Sequence, residues 1–385
     1  MRRDAILGQL EAALRSSLAA PSLRLIELGG TRPAIDEARE PWIPVKYGKA
    51  SPDDWFGVVP ATARFTRAPG QGAENLALIV KVNPRDALAR TLLPWIVAHR
   101  RIALDRPYFE YRTAAEFDHT GPRESRMYAL ATTTPALARV MPRCYGGTSD
   151  ATAGEHALFL EIVEAQRLDA AGAVADWPPD AIDAALTAAG GWHAAFWDKA
   201  DRHDWAGPRA RTDDLVADAP LWRALLDDAR ARFPDIMTEK AWRRRHGLVD
   251  TLADWHAAKD RLPSTLVHDD FNHRNVGFRP QVVVLDWELV TRDTAQRDLV
   301  EMLTFVLPAS AGRAEIDRHV EVHRQSLVAA GVAIDSDAWV EGFRAELKVE
   351  AINRIGLQFV FGAAFPLAYL ARINATIERL LDMYE

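Results

Sequence analysis

Three features of the 385-residue sequence predict an α+β fold in two parts, a small antiparallel-sheet region followed by a larger, mainly helical one. Apolar patches of strand character run from Leu23 to about Val82, broken at Gly29-Gly30, Gly48 and Pro69-Gly70-Gln71-Gly72. From about residue 178 helix-period segments dominate, and a compact strand pair near 276 to 285 interrupts them. Strands grouped first and helices grouped later favour segregated layers over an alternating parallel sheet.

Each element follows in order. The chain opens on Met1-Arg2-Arg3, but Asp4, Glu11 and Arg15 interrupt any apolar stretch there. Residues 1–20 therefore read as an amphipathic helix, with Ile6, Leu10, Leu14 and Leu18 on one face, and not as a leader. Residues 21–163 form the sheet region. In its strand Leu76 to Val82, alternation puts Leu76, Leu78 and Val80 on one face and Ala77, Ile79 and Lys81 on the other. Lys81 thus projects from a strand beside apolar neighbours. Residues 88–132 read as helical with loops, and Ala157-Leu158-Phe159-Leu160 as a strand running into Glu161-Ile162-Val163. The helical region, residues 164–385, contains Ile182 to Trp197, Leu221 to Phe233, Ala241 to Ala258, Ala314 to Ala330 and Trp339 to Leu381.

Composition narrows the classes. With 48% hydrophobic and 26% charged residues, both parts can bury a core, which excludes disordered and fibrous chains. The net charge of −7 is uneven: residues 1–165 carry 21 basic and 19 acidic side chains, and the remainder 26 and 35. An anionic nucleic acid is a poor partner for such a chain. The basic run Arg243-Arg244-Arg245-His246 reads as a solvated helix face. The longest uncharged run, between Arg354 and Arg372, includes Gly356, Gln358, Gly362 and Pro366 and is short for a membrane span, so a buried helix is expected. A single cysteine, Cys144, can form neither an intramolecular disulfide nor a zinc site. A cytoplasmic monomer or homodimer is the expectation.

The informative stretch is His268-Asp269-Asp270-Phe271-Asn272-His273-Arg274-Asn275, followed by apolar strands Val276 to Phe278 and Val282 to Leu285 and then Asp286-Trp287-Glu288. A hairpin centred between Pro280 and Gln281 would set Asn275 opposite Asp286, about 5 Å apart at the side-chain roots. An amide oxygen and a carboxylate so placed can share Mg²⁺, a hard cation that takes oxygen ligands. Asp270, on the preceding loop, is positioned to take a proton from a hydroxyl.

The pattern His268-x-Asp270-x-x-x-x-Asn275, with the later Asp286-Trp287-Glu288, resembles the aminoglycoside phosphotransferase and choline kinase superfamily, relatives of the protein kinases. The resemblance implies a bilobal protein-kinase-like fold and Mg²⁺-dependent use of ATP, with GTP left open. It implies Asp270 as base, His268 as the residue bracing the catalytic loop (268–275), and Asn275 and Asp286 as metal ligands. Upstream, Lys81 looks like the strand lysine that touches the phosphates and Glu124 like its helix partner, with Glu110 and Glu116 as rivals. Leu158 to Val163, with Glu161 and Val163 as cofactor-side residues, resembles the strand and hinge that contact adenine through backbone groups, and Gln296-Arg297-Asp298-Leu299 resembles a segment that braces the helical lobe. No GxxxxGK[ST] loop or GxGxxG is present, leaving Gly29-Gly30 as the turn over the phosphates.

The implied activity is phosphate transfer to the hydroxyl of an aminoglycoside-, amino-alcohol- or sugar-like molecule. Excess acidity after residue 165 favours a cationic or polyhydroxyl acceptor, with Glu288, Glu346 and Glu350 as candidate acceptor-side residues. Alternatives are a nucleotide-binding pseudokinase module without transfer, or a metal-dependent phosphohydrolase built on His268-Asp269. A protein kinase is disfavoured because no DFG-to-APE segment follows Asp286.

Overall fold

The structure, a computed structural model, describes residues 1, 3–30, 55–84, 92–150, 154–168 and 176–385; the break expected at Gly48 lies outside them. Strand β2 (Gly57–Thr66) alternates between buried and exposed positions, with Val59, Ala61, Ala63 and Phe65 inward, as in a sheet whose two faces differ in cover. With β1 (Arg24–Gly30), β3 (Glu74–Pro84), β4 (Cys144–Asp150) and β5 (Glu155–Glu161) it forms a five-stranded antiparallel sheet in the order β1-β2-β3-β5-β4. Helix α1 (Arg3–Ser17) closes one face. Its Ile6, Leu10 and Leu14 are fully buried in a core shared with Leu78, Val80 and Phe159, each contributing roughly 1.5–3 kcal/mol by burial. The other face carries Lys81 and receives α3 (Thr120–Ala131), which precedes the short α4 (Pro135–Val140). These elements belong to one compact unit, Met1–Leu92 with Phe117–Glu164.

The second unit comprises Leu93–Glu116 and Ala165–Glu385, so 93–116 groups with the helical part although the sequence assigns it to the sheet region. It contains α2 (Leu93–Arg100), α5 (Pro179–Phe196), α6 (Thr212–Ala217) and α7 (Ala219–Arg232). Two expected long helices are broken. Residues 241–258 divide at Thr251 into α8 (Glu239–Asp250) and α9 (Leu252–Asp260). The segment Trp339 to Leu381 divides into α12 (Ser336–Ile352), α13 (Arg354–Ala364) and α14 (Leu370–Tyr384), with breaks at Asn353 and around Pro366, which has no backbone donor to continue a helix. Between these groups lie two small strand pairs, β6 (Thr265–Val267) with β9 (Thr291–Asp293) and β7 (Val276–Arg279) with β8 (Gln281–Val284), then α10 (Gln296–Val306) and α11 (Arg313–Ala329).

Helix α10 is buried along its whole length although it carries Arg297, Asp298 and Glu301, so each of these must be paired inside the protein. The basic run on α8 is also not a uniformly solvated face. Arg243 is exposed, but Arg245 is fully buried and bonds Glu378 at 2.8 Å and Asn374 at 2.6 Å. Among the described residues no helix is long and apolar enough to cross a membrane.

Candidate active site

Strand β6 ends at Val267 and the chain turns through Asp269 at φ 64°, a left-handed conformation that Asp tolerates better than branched residues. The loop that follows presents Asp270, whose side chain is 24% exposed. Its Oδ1 accepts from the Asn272 amide at 2.7 Å and the Arg274 guanidinium at 2.9 Å, and its Oδ2 accepts from the Asn275 amide at 2.6 Å. Asn275 Nδ2 also donates to the Asp270 carbonyl at 2.9 Å. With its nitrogen so engaged, Asn275 can meet a cation through Oδ1.

The predicted hairpin forms, but its register is shifted by one. Val276 pairs with Val284 and Arg279 with Gln281, leaving Pro280 alone at the tip, where its missing N–H costs the ladder nothing. Asn275 consequently faces Leu285, whose N–H donates to the Asn275 carbonyl at 2.8 Å, and Asp286 lies one residue beyond. Asp286 takes φ 62°, so a turn and not strand alternation aims its half-buried side chain. Burial alone would lower the Arg274 pKa, but the charges of Asp270, Tyr369, Glu301 and Asp286 hold it above its ordinary value.

Two helices fix this loop from behind. Asp298 of α10 accepts the backbone N–H groups of His268 at 2.8 Å and Asp269 at 3.0 Å, and meets His193 Nε2 of α5 at 2.9 Å. Burial pushes the Asp298 carboxyl up, but the His193 hydrogen bond and the His193 and His268 rings together hold it below the usual carboxylate range. The His268 ring bridges the loop: Nε2 meets the Leu285 carbonyl at 2.8 Å and Nδ1 accepts the Asp270 N–H at 3.3 Å. Both ring nitrogens thus serve backbone groups, which is a bracing arrangement. Trp192 of α5 packs edge-on against Phe271 and Trp287, at 5.3 and 5.2 Å between ring centres.

Several other carboxylates of this unit are interior. Arg297 joins Asp269, Asp293 at 3.0 Å and Glu116 at 3.1 Å, so Glu116 is committed here. Glu346, 1% exposed, is held by Lys259 at 2.5 Å, and Lys259 also meets Asp293 at 2.9 Å. Glu350, 2% exposed, has its carboxyl pushed up to about 7 by burial despite Arg354 and Arg297. The expected acceptor-side role of Glu346 and Glu350 is corrected accordingly: α12 packs this face on α9, α10 and α14, away from solvent. Glu288 is half-buried beside Asp286. Asn272, Arg274, Glu301 and His193 also support this loop, although the motif spacing does not single them out. Glu301 accepts from Phe271 N at 3.2 Å and Asn272 Nδ2 at 3.1 Å, and burial next to Asp270 pushes its carboxyl well up. Asn272 and Arg274 occupy positions that the spacing pattern leaves unspecified, and polar side chains two residues apart on a loop were the available signal.

In the sheet unit, Lys81 lies opposite Val58 and Leu158 and its Nζ is 2.6 Å from Glu124 Oε2, both residues buried. Gly121 permits this approach of α3, because a Cβ there would stand 2.8 Å from the His156 ring. Glu110 is exposed. Glu161 ends β5 and its carboxylate accepts the Arg143 N–H at 2.9 Å, while Val163 follows, half-buried. Gly29 and Gly30 are strand residues and not a phosphate turn: they pair with Thr62 and Ala61, and a Cβ on Gly30 would lie 2.9 Å from the Pro60 carbonyl oxygen. The segment that follows them lies outside the described residues.

A model of the phosphotransferase enzyme family matches residues 66–327, more than half of the chain. No curated protein sequence matches. Among solved structures, the macrolide 2'-phosphotransferase MphH from Brachybacterium faecium is 16% identical, with 97% of this chain and 98% of that chain covered at a TM-score of 0.44. The choline kinase LicA from Streptococcus pneumoniae is 11% identical, with 97% and 99% covered and a TM-score of 0.44. At such identities and scores neither likeness bears on what this chain acts on.

Proposed function

The chain belongs to the phosphotransferase enzyme family, and from that premise we propose that it moves the γ-phosphate of Mg·ATP to a hydroxyl of a small molecule, with Asp270 as the base. The observation that supports this most is the joining of Asp270 to Asn275 at 2.6 Å on a loop fixed from behind by Asp298. Three donors orient the Asp270 carboxylate while a quarter of its side chain stays open, so an incoming hydroxyl can be aligned and its proton accepted at a carboxylate oxygen.

Asn275 and Asp286 would hold Mg²⁺. Both offer oxygen, and the Leu285-to-Asn275 backbone hydrogen bond keeps their strands adjacent. Bound there, the ion would neutralise charge on the phosphates. Lys81 would meet the phosphates, its ammonium oriented by Glu124.

The acidity after residue 165 does not by itself select a cationic acceptor, because Asp293, Glu346 and Glu350 are matched internally by Lys259, Arg297 and Arg354. Incubation with Mg·ATP and a panel of aminoglycosides, amino alcohols, sugars and nucleosides, read by mass, should reveal a phosphorylated product. Asp270→Asn should lose that product while still binding nucleotide. Undiminished product from the variant would remove Asp270 from the mechanism.

A further inference from the structure

A cavity of about 820 Å³ lies wholly within the sheet unit, walled by the end of α1, one face of α3 and strands β4 and β5. Its size is that of a small-ligand site. None of Lys81, Glu124 or Glu161 lines it, so it is separate from the residues assigned to phosphate transfer.

Among the described residues its lining carries two guanidinium groups, Arg126 and Arg143, and several hydroxyl groups, with no aspartate or glutamate, on a protein whose charged residues are more often acidic than basic. Arg126 is exposed and makes no ion pair or hydrogen bond among the described residues. Arg143 is held in place by the Ser17 carbonyl at 3.1 Å and lies over the Tyr145 ring at 5.0 Å. Ser17, also in the wall, has a buried Oγ with no hydrogen-bond partner among the described residues, a polar group whose burial calls for an explanation.

We propose that this cavity binds a small organic anion, a carboxylate or phosphate monoester on an apolar body, whose head meets Arg126 and Arg143 and whose body lies against Tyr128, Tyr145 and Leu158. Guanidinium groups suit such heads because their N–H forks match carboxylate and phosphate oxygens. The position gives the site a regulatory reach. Helix α3 forms its wall and also presents Glu124 to Lys81. Cys144, in the opposite wall, is near enough to feel the same carboxylate: burial first, with Glu124 adding, pushes its thiol up to about 11.

The test uses the full chain without nucleotide, titrated calorimetrically with 1-naphthoate, 1-naphthyl phosphate and, as a neutral control, 1-naphthalenemethanol. Both anions should bind more tightly than the alcohol. Arg126→Glu, at an exposed position, should weaken the anions about tenfold or more, the loss of one charge-assisted hydrogen bond, and leave the alcohol unchanged. Cys144 is the only cysteine in the chain, so alkylation by iodoacetamide, followed by intact mass, reports location and should slow several-fold under saturating anion. Ala129→Trp, on the exposed helix face that lines the cavity, should abolish binding by filling it. The proposal is overturned if the anions bind no better than the alcohol, if Arg126→Glu leaves their affinity intact, or if Cys144 alkylates at the same rate with and without them.

Discussion

Two kinds of carboxylate share the helical unit, and their surroundings set them apart. Asp270 is 24% exposed and is held by two neutral amides and one guanidinium. Asp293 is 1% exposed and is gripped by Lys259 and Arg297. A carboxylate caged by buried cations is scaffold, since loosening it would leave those cations unpaired in the interior. One oriented mainly by neutral donors and left open to solvent can exchange a donor for a substrate hydroxyl at small cost.

The largest expected effects test this contrast directly. Asp270→Asn should lower turnover by about 10²–10⁴-fold, the usual worth of a positioned base, while the thermal midpoint stays near that of the parent. Asp293→Asn should do the reverse in kind, lowering stability in denaturant by about 3–5 kcal/mol because Lys259 and Arg297 lose a shared buried partner. Equal loss of stability in the two variants would erase the distinction.

A smaller effect concerns pH. The Glu350 carboxyl is raised from 4.5 to about 7, chiefly by burial; it faces Arg354 and Arg297, which oppose the shift, and Glu346 and Asp269, which add to it. A raised folded-state value means that the folded protein holds this proton more tightly than the unfolded chain. The resulting contribution is complete below about pH 4.5 and is lost as pH rises through about 7, by up to about 3 kcal/mol. Glu301 and Glu346 are raised as well and slope the same way, so the readout is the difference between two curves. Glu350→Gln should be flatter than the parent between those limits and more stable above them. Parallel curves would show that Glu350 titrates normally.

Local signals carried much of this architecture. Alternation along β3 placed Lys81, and helical spacing placed Ile6, Leu10 and Leu14 on one face, because each depends only on neighbours within a turn or a pleat. The mutual placement of Asp270 and Asn275 was legible for the same reason: they are close in sequence, and the hydrogen bonds from Asn275 to Asp270 span five residues. What escaped was set at a distance. The hairpin register depended on Pro280 taking the tip. The polar face of α12 looked like a solvent or substrate face, but the sequence does not reveal that Lys259, far upstream, covers Glu346. The choice between Glu116 and Glu124 was likewise decided by Arg297, which draws Glu116 into the helical unit.

The smallest expected effect marks the other end of the scale. Arg243 and Glu239 form an i,i+4 pair on α8 at 2.7 Å, with side chains 74% and 50% exposed. Two mobile, hydrated side chains gain little from one geometry, so Arg243→Ala should cost about 0.5 kcal/mol or less, a difference that vanishes in high salt. Chemical denaturation of the variant at low and high ionic strength measures it. Two residues along, Arg245 carries the same guanidinium with none of its side chain exposed and with Glu378 and Asn374 as partners. If Arg243→Ala costs as much as Asp293→Asn, burial is not what divides scaffold charges from the rest, and the contrast between Asp270 and Asp293 loses its physical basis.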